Sequence, residues 1–165
     1  MANRPKVITE KTIVQKIFDV ASLLFLLSSF GYVLVNWSIL PEQVPIHFNA
    51  VGDPNNWGPN SMLIVLPFIG TVLWIGLSIL ERYPHVYNYI VKITEANAAF
   101  QYRNAVALIH FLKNTIAILF AFLTRECFLI GSGEQEALST GLMPLFLILL
   151  FGAVGLYIIQ SIRWR

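Results

Sequence analysis

Residues 20–40, VASLLFLLSSFGYVLVNWSIL, run directly into residues 41–59, PEQVPIHFNAVGDPNNWGP. The first stretch carries no charge and reaches the roughly 20 apolar residues that a helix needs to cross a hydrocarbon core about 30 Å thick. The second is polar and rich in turn formers, and Pro41 stops the helix before it. A membrane span that ends in a loop so rich in proline and glycine decides the fold class. Further out, residues 62–80 and 137–162 are also uncharged, and a run near 104–130 is interrupted only by Lys113, Arg125 and Glu126. The chain of 165 residues is 56% hydrophobic and 12% charged, where a soluble domain carries roughly 25% charged residues. The expectation is a single all-α, polytopic membrane domain over residues 1–165. It is a four-transmembrane-helix bundle with spans at about 20–40, 61–80, 112–130 and 138–162, an ordered extracellular loop at 41–60, and a cytoplasmic helical extension within the inner segment 81–111.

The formal net charge of +2 says less than its distribution. With four spans, Arg4, Lys6, Lys11, Lys16, Arg82, Lys92, Arg103, Lys113, Arg163 and Arg165 fall on one side, and only Arg125 on the other. The loop 40–59 has no Lys or Arg. The positive-inside rule then puts both termini and the middle segment in the cytoplasm and the 40–59 loop outside the membrane. Dispersed interfacial basic residues leave the lipid bilayer as the partner and argue against nucleic acid. The first run is too long for a signal-peptide core and lacks a small-residue cleavage site, so it is expected to stay as an anchor. Cys127, the only cysteine, reads as a small apolar residue in span three; an intrachain disulfide is impossible.

Along the chain, residues 1–8 read as disordered, with Thr9 as an N-cap before Glu10 and a first helix that continues through Leu40. Asp19 is expected to pair locally with Lys16. Pro67 lies inside span two, where neighbouring helices tolerate it. Thr94 reads as the cap of a helix that nothing interrupts from Glu95 to Ile130, about 54 Å at 1.5 Å per residue. Part of that helix must therefore leave the core. With the span at 104–124, Lys113 would sit mid-membrane at a cost of about 2.5–3.5 kcal/mol. With the span at 112–130, it reaches the inner boundary, where its stem can snorkel, while Arg125 and Glu126 compensate each other near the outer edge. His110 then lies near the interface as a packed or solvated histidine, not as a ligand. In span four, Gly152, Ala153 and Gly155 offer a small-residue face for helix packing.

No nucleotide loop, nucleophile elbow or zinc-protease motif is present, and no cofactor is implied. Ionisable groups are absent at mid-depth in spans one, two and four, which argues against a proton-coupled transporter. In the outer loop, Val44, Ile46 and Phe48 alternate with polar residues, Pro41 and Pro45 stiffen the entry, Gly52-Asp53-Pro54-Asn55 signals a turn, and Trp37 and Trp57 suit the outer interface. Glu42, His47 and Asp53 are a weak candidate metal set, one imidazole with two carboxylates.

The pattern Leu40-Pro41-x-x-Val44-Pro45-x-His47-Phe48-Asn49-x-x-Gly52-x-Pro54-x-x-Trp57 resembles a bacterial membrane domain of unknown function. That domain is found at the N-terminus of SdpI-type immunity proteins and in short stand-alone membrane proteins. The segment Pro84-His85-x-Tyr87-Asn88-Tyr89, with Ile93-Thr94-Glu95-x-Asn97-Ala98 and Gln101-Tyr102, resembles a second stretch of the stand-alone members. The resemblance implies a bacterial cytoplasmic-membrane protein with an outward sensing or binding loop, because SdpI-type proteins protect against a secreted peptide toxin and signal to a cytoplasmic repressor. SdpI proteins carry further helices after this domain.

The leading expectation is a non-enzymatic protein that binds an extracellular peptide, lipid or envelope component, in an immunity or stress response. Pro41, Pro45, His47, Phe48, Asn49, Gly52, Asp53 and Trp57 would shape or line that site. Tyr87, Asn88, Glu95, Asn97, Gln101 and Tyr102 would form a cytoplasmic surface for a protein partner. Two alternatives stand beside it. One is a metal-dependent enzyme or metal-responsive protein using His47, Asp53 and Glu42. The other is a small transporter or accessory subunit with a polar cavity lined by Asn36, Asn114, Thr115 and Gln160.

Overall fold

A computed structural model describes residues 4–7 and 10–165. Among the described residues, four helices are long and apolar enough to cross a membrane: α1 (Ile13–Val35), α2 (Met62–Leu80), α3 (Ala98–Gly131) and α4 (Leu142–Arg163). The chain is a four-helix membrane bundle. The first two helices are joined by an antiparallel hairpin of β1 (Gln43–Phe48) and β2 (Pro54–Pro59). The loop is thus ordered by a small sheet, for which the alternation of Val44, Ile46 and Phe48 was the sequence signal. One end of the bundle carries this hairpin and the α3–α4 turn. The opposite end carries the start of α1, the end of α4 and the segment between α2 and α3.

Helix boundaries follow local chemistry. The expected Thr9 cap lies outside the described residues, as do residues 1–3 and 8 of the arm read as disordered. Thr12 caps α1 instead: its hydroxyl accepts from Gln15 N–H, and the Gln15 side chain accepts from Thr12 N–H. This reciprocal arrangement satisfies two orphan donors. The helix ends at Val35 rather than Leu40, because Asn36 turns its amide onto Tyr32 O at 2.8 Å and a 3-10 turn follows over Trp37–Ile39. Helix α3 starts at Ala98, three residues after Glu95. Thr94 and Asn97 trade side-chain hydrogen bonds across the turn that precedes it. It then runs unbroken to Gly131, about 51 Å at 1.5 Å per residue, so no break separates a span from an extension. Helix α4 begins at Leu142, four residues after Leu138.

Helix α3 is the axis of the molecule, touching α1, α2, α4 and β1. Gly70 lets α2 approach closely, since a Cβ there would lie 3.0 Å from both Leu26 Cδ1 and Phe120 Cβ. Below it Leu26, Ala117 and Ala121 pack with Trp74 and Phe120. At the hairpin end Val33, Val44, Leu63, Cys127 and Phe128 close a second cluster. Gly131 admits β1 there, with a would-be Cβ 3.0 Å from Val44 Cγ1.

Helix α4 is peripheral, and Ser161 is its one buried residue. Two polar side chains of α3 tie its last turns. Gln101 Nε2 donates to Ser161 O and Trp164 O at 3.0 Å each, and Asn104 Nδ2 donates to Tyr157 O at 3.1 Å and Ser161 Oγ at 3.0 Å. Interhelical hydrogen bonds in membranes are worth about 0.6 kcal/mol on average and up to about 1.7. Gln101→Leu is therefore expected to destabilise the protein by about 1–2 kcal/mol, read as a lowered melting temperature in detergent. An unchanged melting temperature would show that α4 is held by other means.

Candidate functional site

The hairpin is built to hold a fixed shape. Val44 pairs with Gly58 and Pro45 with Trp57; the ladder is irregular between Pro45 and His47 and again between His47 and Phe48. Proline supplies no N–H to a ladder, so an irregular register beside Pro45 and Pro54 follows. Asn49 organises the turn. Its Oδ1 accepts from Val51 N–H at 3.0 Å and Asp53 N–H at 2.9 Å, and its Nδ2 donates to Asp53 Oδ2 at 3.1 Å. Gly52 has φ +95°, a conformation that a side chain rarely adopts. The Gly52 carbonyl accepts from Leu138 N–H at 2.9 Å, fastening the tip to the α3–α4 connection.

That connection is itself fastened by Glu126, which is almost fully buried. Its Oε2 accepts from Ser139 N–H at 2.8 Å, Ser139 Oγ at 2.7 Å and Gln135 Nε2 at 2.8 Å. Arg125 is more distant, at 3.6 Å, and exposed. The compensation expected from Arg125 is thus supplied mainly by the loop's own donors, which order residues 135–139 over the end of α3.

Between the hairpin, α2, α3 and the start of α4 lies a cavity of about 430 Å³. Its walls are mainly apolar, with Phe48, Met62, Val65, Leu66 and Met143 prominent, and His47 and Asn49 stand among its lining residues. Pro45, Phe48 and Gly52 border the same space. Pro41, Asp53 and Trp57 are not part of its lining; Trp57 is exposed. Glu42, His47 and Asp53 do not converge. His47 Nδ1 sits 2.6 Å from Asn55 Oδ1 and Asp53 is taken by Asn49, so both are engaged within the hairpin, while Glu42 is exposed before β1.

At the terminal end lies a second constellation. Asp19 and Ser22 of α1, Trp74 and Ser78 of α2, Glu81 just beyond α2, and His110, Lys113 and Asn114 of α3 form one polar cluster. Lys113 is 0% exposed. Its Nζ lies 2.9 Å from Asp19 Oδ1, 2.9 Å from Glu81 Oε2 and 3.0 Å from Ser78 Oγ, and 4.8 Å from the centre of the Trp74 ring. Lys11 reaches in from the N-terminal arm, 2.6 Å from Asp19 Oδ2 and 2.5 Å from Glu81 Oε2. Burial draws its ammonium pKa down, but the two carboxylates outweigh that and hold it above its ordinary value. Asn114 donates to Asp19 Oδ1 at 2.9 Å while its own Oδ1 takes the Ser22 hydroxyl and the Trp74 indole N–H.

This arrangement corrects two expectations, for Lys113 and Asp19, and decides between the two readings of His110. Lys113 stands level with the end of α2, as the shifted register requires, but it is sealed in ion pairs and does not snorkel. Asp19 pairs with Lys11 and Lys113, whereas Lys16 is exposed. His110 is packed, with Nδ1 3.2 Å from Asp19 Oδ1 and 3.5 Å from Glu81 Oε1. The signal was legible in outline, since Asp19, Glu81 and Lys113 each fall at the same membrane boundary by span counting. The polar cavity imagined around Asn36, Asn114, Thr115 and Gln160 does not form. Asn36 caps α1 at the hairpin end, Asn114 belongs to the cluster at the other end, and Gln160 is exposed.

The segment between α2 and α3 folds around Arg4. Its guanidinium donates to His85 O at 3.2 Å and Tyr87 O at 2.6 Å and lies 5.5 Å from the centre of the Tyr89 ring. Tyr87 donates to Leu80 O at 2.7 Å, and burial pushes its phenol up to about 12, so it stays a donor at neutral pH. Of the six residues expected to form a surface here, Asn88 and Glu95 are exposed and Tyr87 and Asn97 half-buried. Gln101 and Tyr102 are 0% exposed, because they face α4 and the tyrosine stack. A helical face that meets other helices cannot also serve as an outer surface.

Residues 24–71 match the family described as "Domain of unknown function (DUF1648)". The matched stretch runs from α1 through the whole hairpin into α2. An "Uncharacterized protein" of the archaeon Archaeoglobus fulgidus is 32% identical over 65 residues, 34% of this chain and 36% of that protein. The aligned part thus spans about a third of the relative's length. No solved structure matches the chain.

Proposed function

We propose that the protein is a non-enzymatic binder that takes the apolar part of an amphipathic envelope molecule into the cavity under its hairpin. The cavity carries this reading. At about 430 Å³ it falls in the size range of small-molecule pockets, roughly 300–1,000 Å³, that pair apolar walls with a few polar groups. His47 and Asn49 supply those polar groups. A hairpin fixed by Asn49, Gly52 and Leu138 presents them with little ordering left to do on binding. The absence of Lys and Arg from the loop supports an outward-facing hairpin, with both termini in the cytoplasm of a prokaryotic, by resemblance bacterial, cell. The resemblance to SdpI-type immunity proteins supports a peptide toxin as the ligand and protection as the outcome. The inner segment around Tyr87 and Asn88 would meet a cytoplasmic partner.

The test is to express the chain in a sensitive host and challenge it with membrane-active peptides. Val65 lies on the cavity wall, 37% exposed, so Val65→Trp fills the space while leaving the outer face of the hairpin intact. Protection is expected to fall about tenfold or more with Val65→Trp, and to weaken with His47→Ala, Asn49→Ala. Native mass spectrometry of the purified protein separates the two ligand sources. A lipid retained by the wild type and lost in Val65→Trp would assign the cavity to lipid. Full protection by both variants, with no retained ligand, would defeat the reading.

A further inference from the structure

Among the described residues, Asp19, Glu81 and His110 are the one set of three His, Cys, Asp or Glu side chains whose donor atoms come within 4.8 Å of one another. Their spacing is specific. Bonds of about 2.1 Å at tetrahedral angles place neighbouring donors about 3.4 Å apart. His110 Nδ1 stands 3.2 Å from Asp19 Oδ1 and 3.5 Å from Glu81 Oε1. Glu81 is 3% exposed, yet its Oε1 accepts no hydrogen bond and faces the imidazole. A buried carboxylate oxygen left without a donor is costly, and it is the atom that a bound cation would engage.

A cation already sits beside this set in tethered form, on the other oxygen of each carboxylate. The Lys11 ammonium bridges Asp19 and Glu81, and its side chain is 27% exposed where Lys113 is fully enclosed. Lys11 lies on the extended arm before α1, so it can swing into water without disturbing a helix. Lys113, held also by Ser78 and Trp74, would stay as the outer partner that orients both carboxylates, the role such second-layer groups play around metals.

We propose that Asp19, Glu81 and His110 form a binding site for a divalent first-row transition ion, Zn²⁺ foremost, which exchanges with the side chain of Lys11. One imidazole with two carboxylates suits that class, whereas Mg²⁺ prefers all-oxygen octahedral shells and keeps its waters. Replacing one ammonium by a dication adds one positive charge to the cluster. The mouth vacated by Lys11 opens to water, so a solvent anion or hydroxide completes the shell there. The site is at the opposite end of the bundle from the hairpin and independent of the ligand proposed for the cavity.

The test uses the full chain in detergent, stripped with a chelator and titrated with Zn²⁺, with Mg²⁺ as the control. The wild type is expected to bind one Zn²⁺ per chain and to ignore Mg²⁺. Lys11→Ala removes the competing cation and is expected to tighten binding about tenfold or more, while His110→Gln weakens it by about 10–100-fold, the scale of a damaged metal shell. Lys11 lies at the rim of the bundle, so its variant folds even if a change at His110 does not. Zn²⁺ bound no more tightly by Lys11→Ala, bound equally by His110→Gln, or bound by neither wild type nor Lys11→Ala would overturn the site.

Discussion

Lys113→Met is expected to destabilise the protein by about 3–5 kcal/mol, the cost of stripping one partner from a buried ion pair. The variant leaves Asp19 and Glu81 with Lys11 as the one ammonium that pairs with both, and Lys11 is the more exposed of the two cations. Ser78 also loses its bond to Nζ, 3.0 Å in the native protein. The check is the free energy of unfolding in mixed micelles, followed by circular dichroism. A second variant makes the cause explicit. Combining Lys113→Met with Glu81→Gln and Asp19→Asn removes the stranded charges together, and it should recover a large part of the loss. A change below about 1 kcal/mol would mean that water already screens the cluster, as it does for surface pairs.

Phe128→Ala carries the second large effect, a loss of about 3–5 kcal/mol typical of truncating a buried aromatic. Phe128 is 1% exposed and meets Tyr32 edge-on, with ring centres 4.8 Å apart. It also belongs to the cluster that seats Val44 of β1. The cavity left behind would sit where α1, α3 and the hairpin meet, so hairpin order should suffer along with global stability. Hydrogen exchange at the Val44 amide is expected to rise together with the drop in melting temperature. Protection at Val44 retained in a destabilised variant would show that the tie from Gly52 to Leu138 holds the hairpin alone.

Much of the architecture could be read from residue order. Uncharged runs located the helices, and Met62–Leu80 matches its expected span almost residue for residue because a proline-rich loop and a charged pair bracket it. The ends of α1 were less legible. The Thr12/Gln15 box lies two turns before the uncharged run begins, and Asn36 stops the helix while apolar residues continue. Periodicity reports burial, whereas caps report where the backbone loses its partners. The ordered loop was visible in its prolines and alternation. Its cavity was not, since Met62, Val65 and Met143 come from helices that sequence treats as uniform apolar wall. The polar cluster was hidden for a similar reason. Asp19, Glu81 and Lys113 each had an ordinary local explanation, and only the shared depth of three separate helices makes them one site. Gln101 and Tyr102 show the converse, because polar residues near a membrane boundary read as exposed until a neighbouring helix is seen to cover them.

The placement of Lys113 and His110 on the third helix has a consequence for biogenesis. Ribosomal synthesis delivers the acidic partners first: Asp19 and Glu81 precede Lys113 in the chain, the nearer by 32 residues, a few seconds at about 5–20 residues per second. During that interval Lys11 is the one lysine of the cluster already made. The early chain thus carries one counter-ion of its own, and the arrival of α3 supplies the second. Insertion of this protein in that sense adds a buried lysine to an arm lysine that keeps its place in the finished cluster.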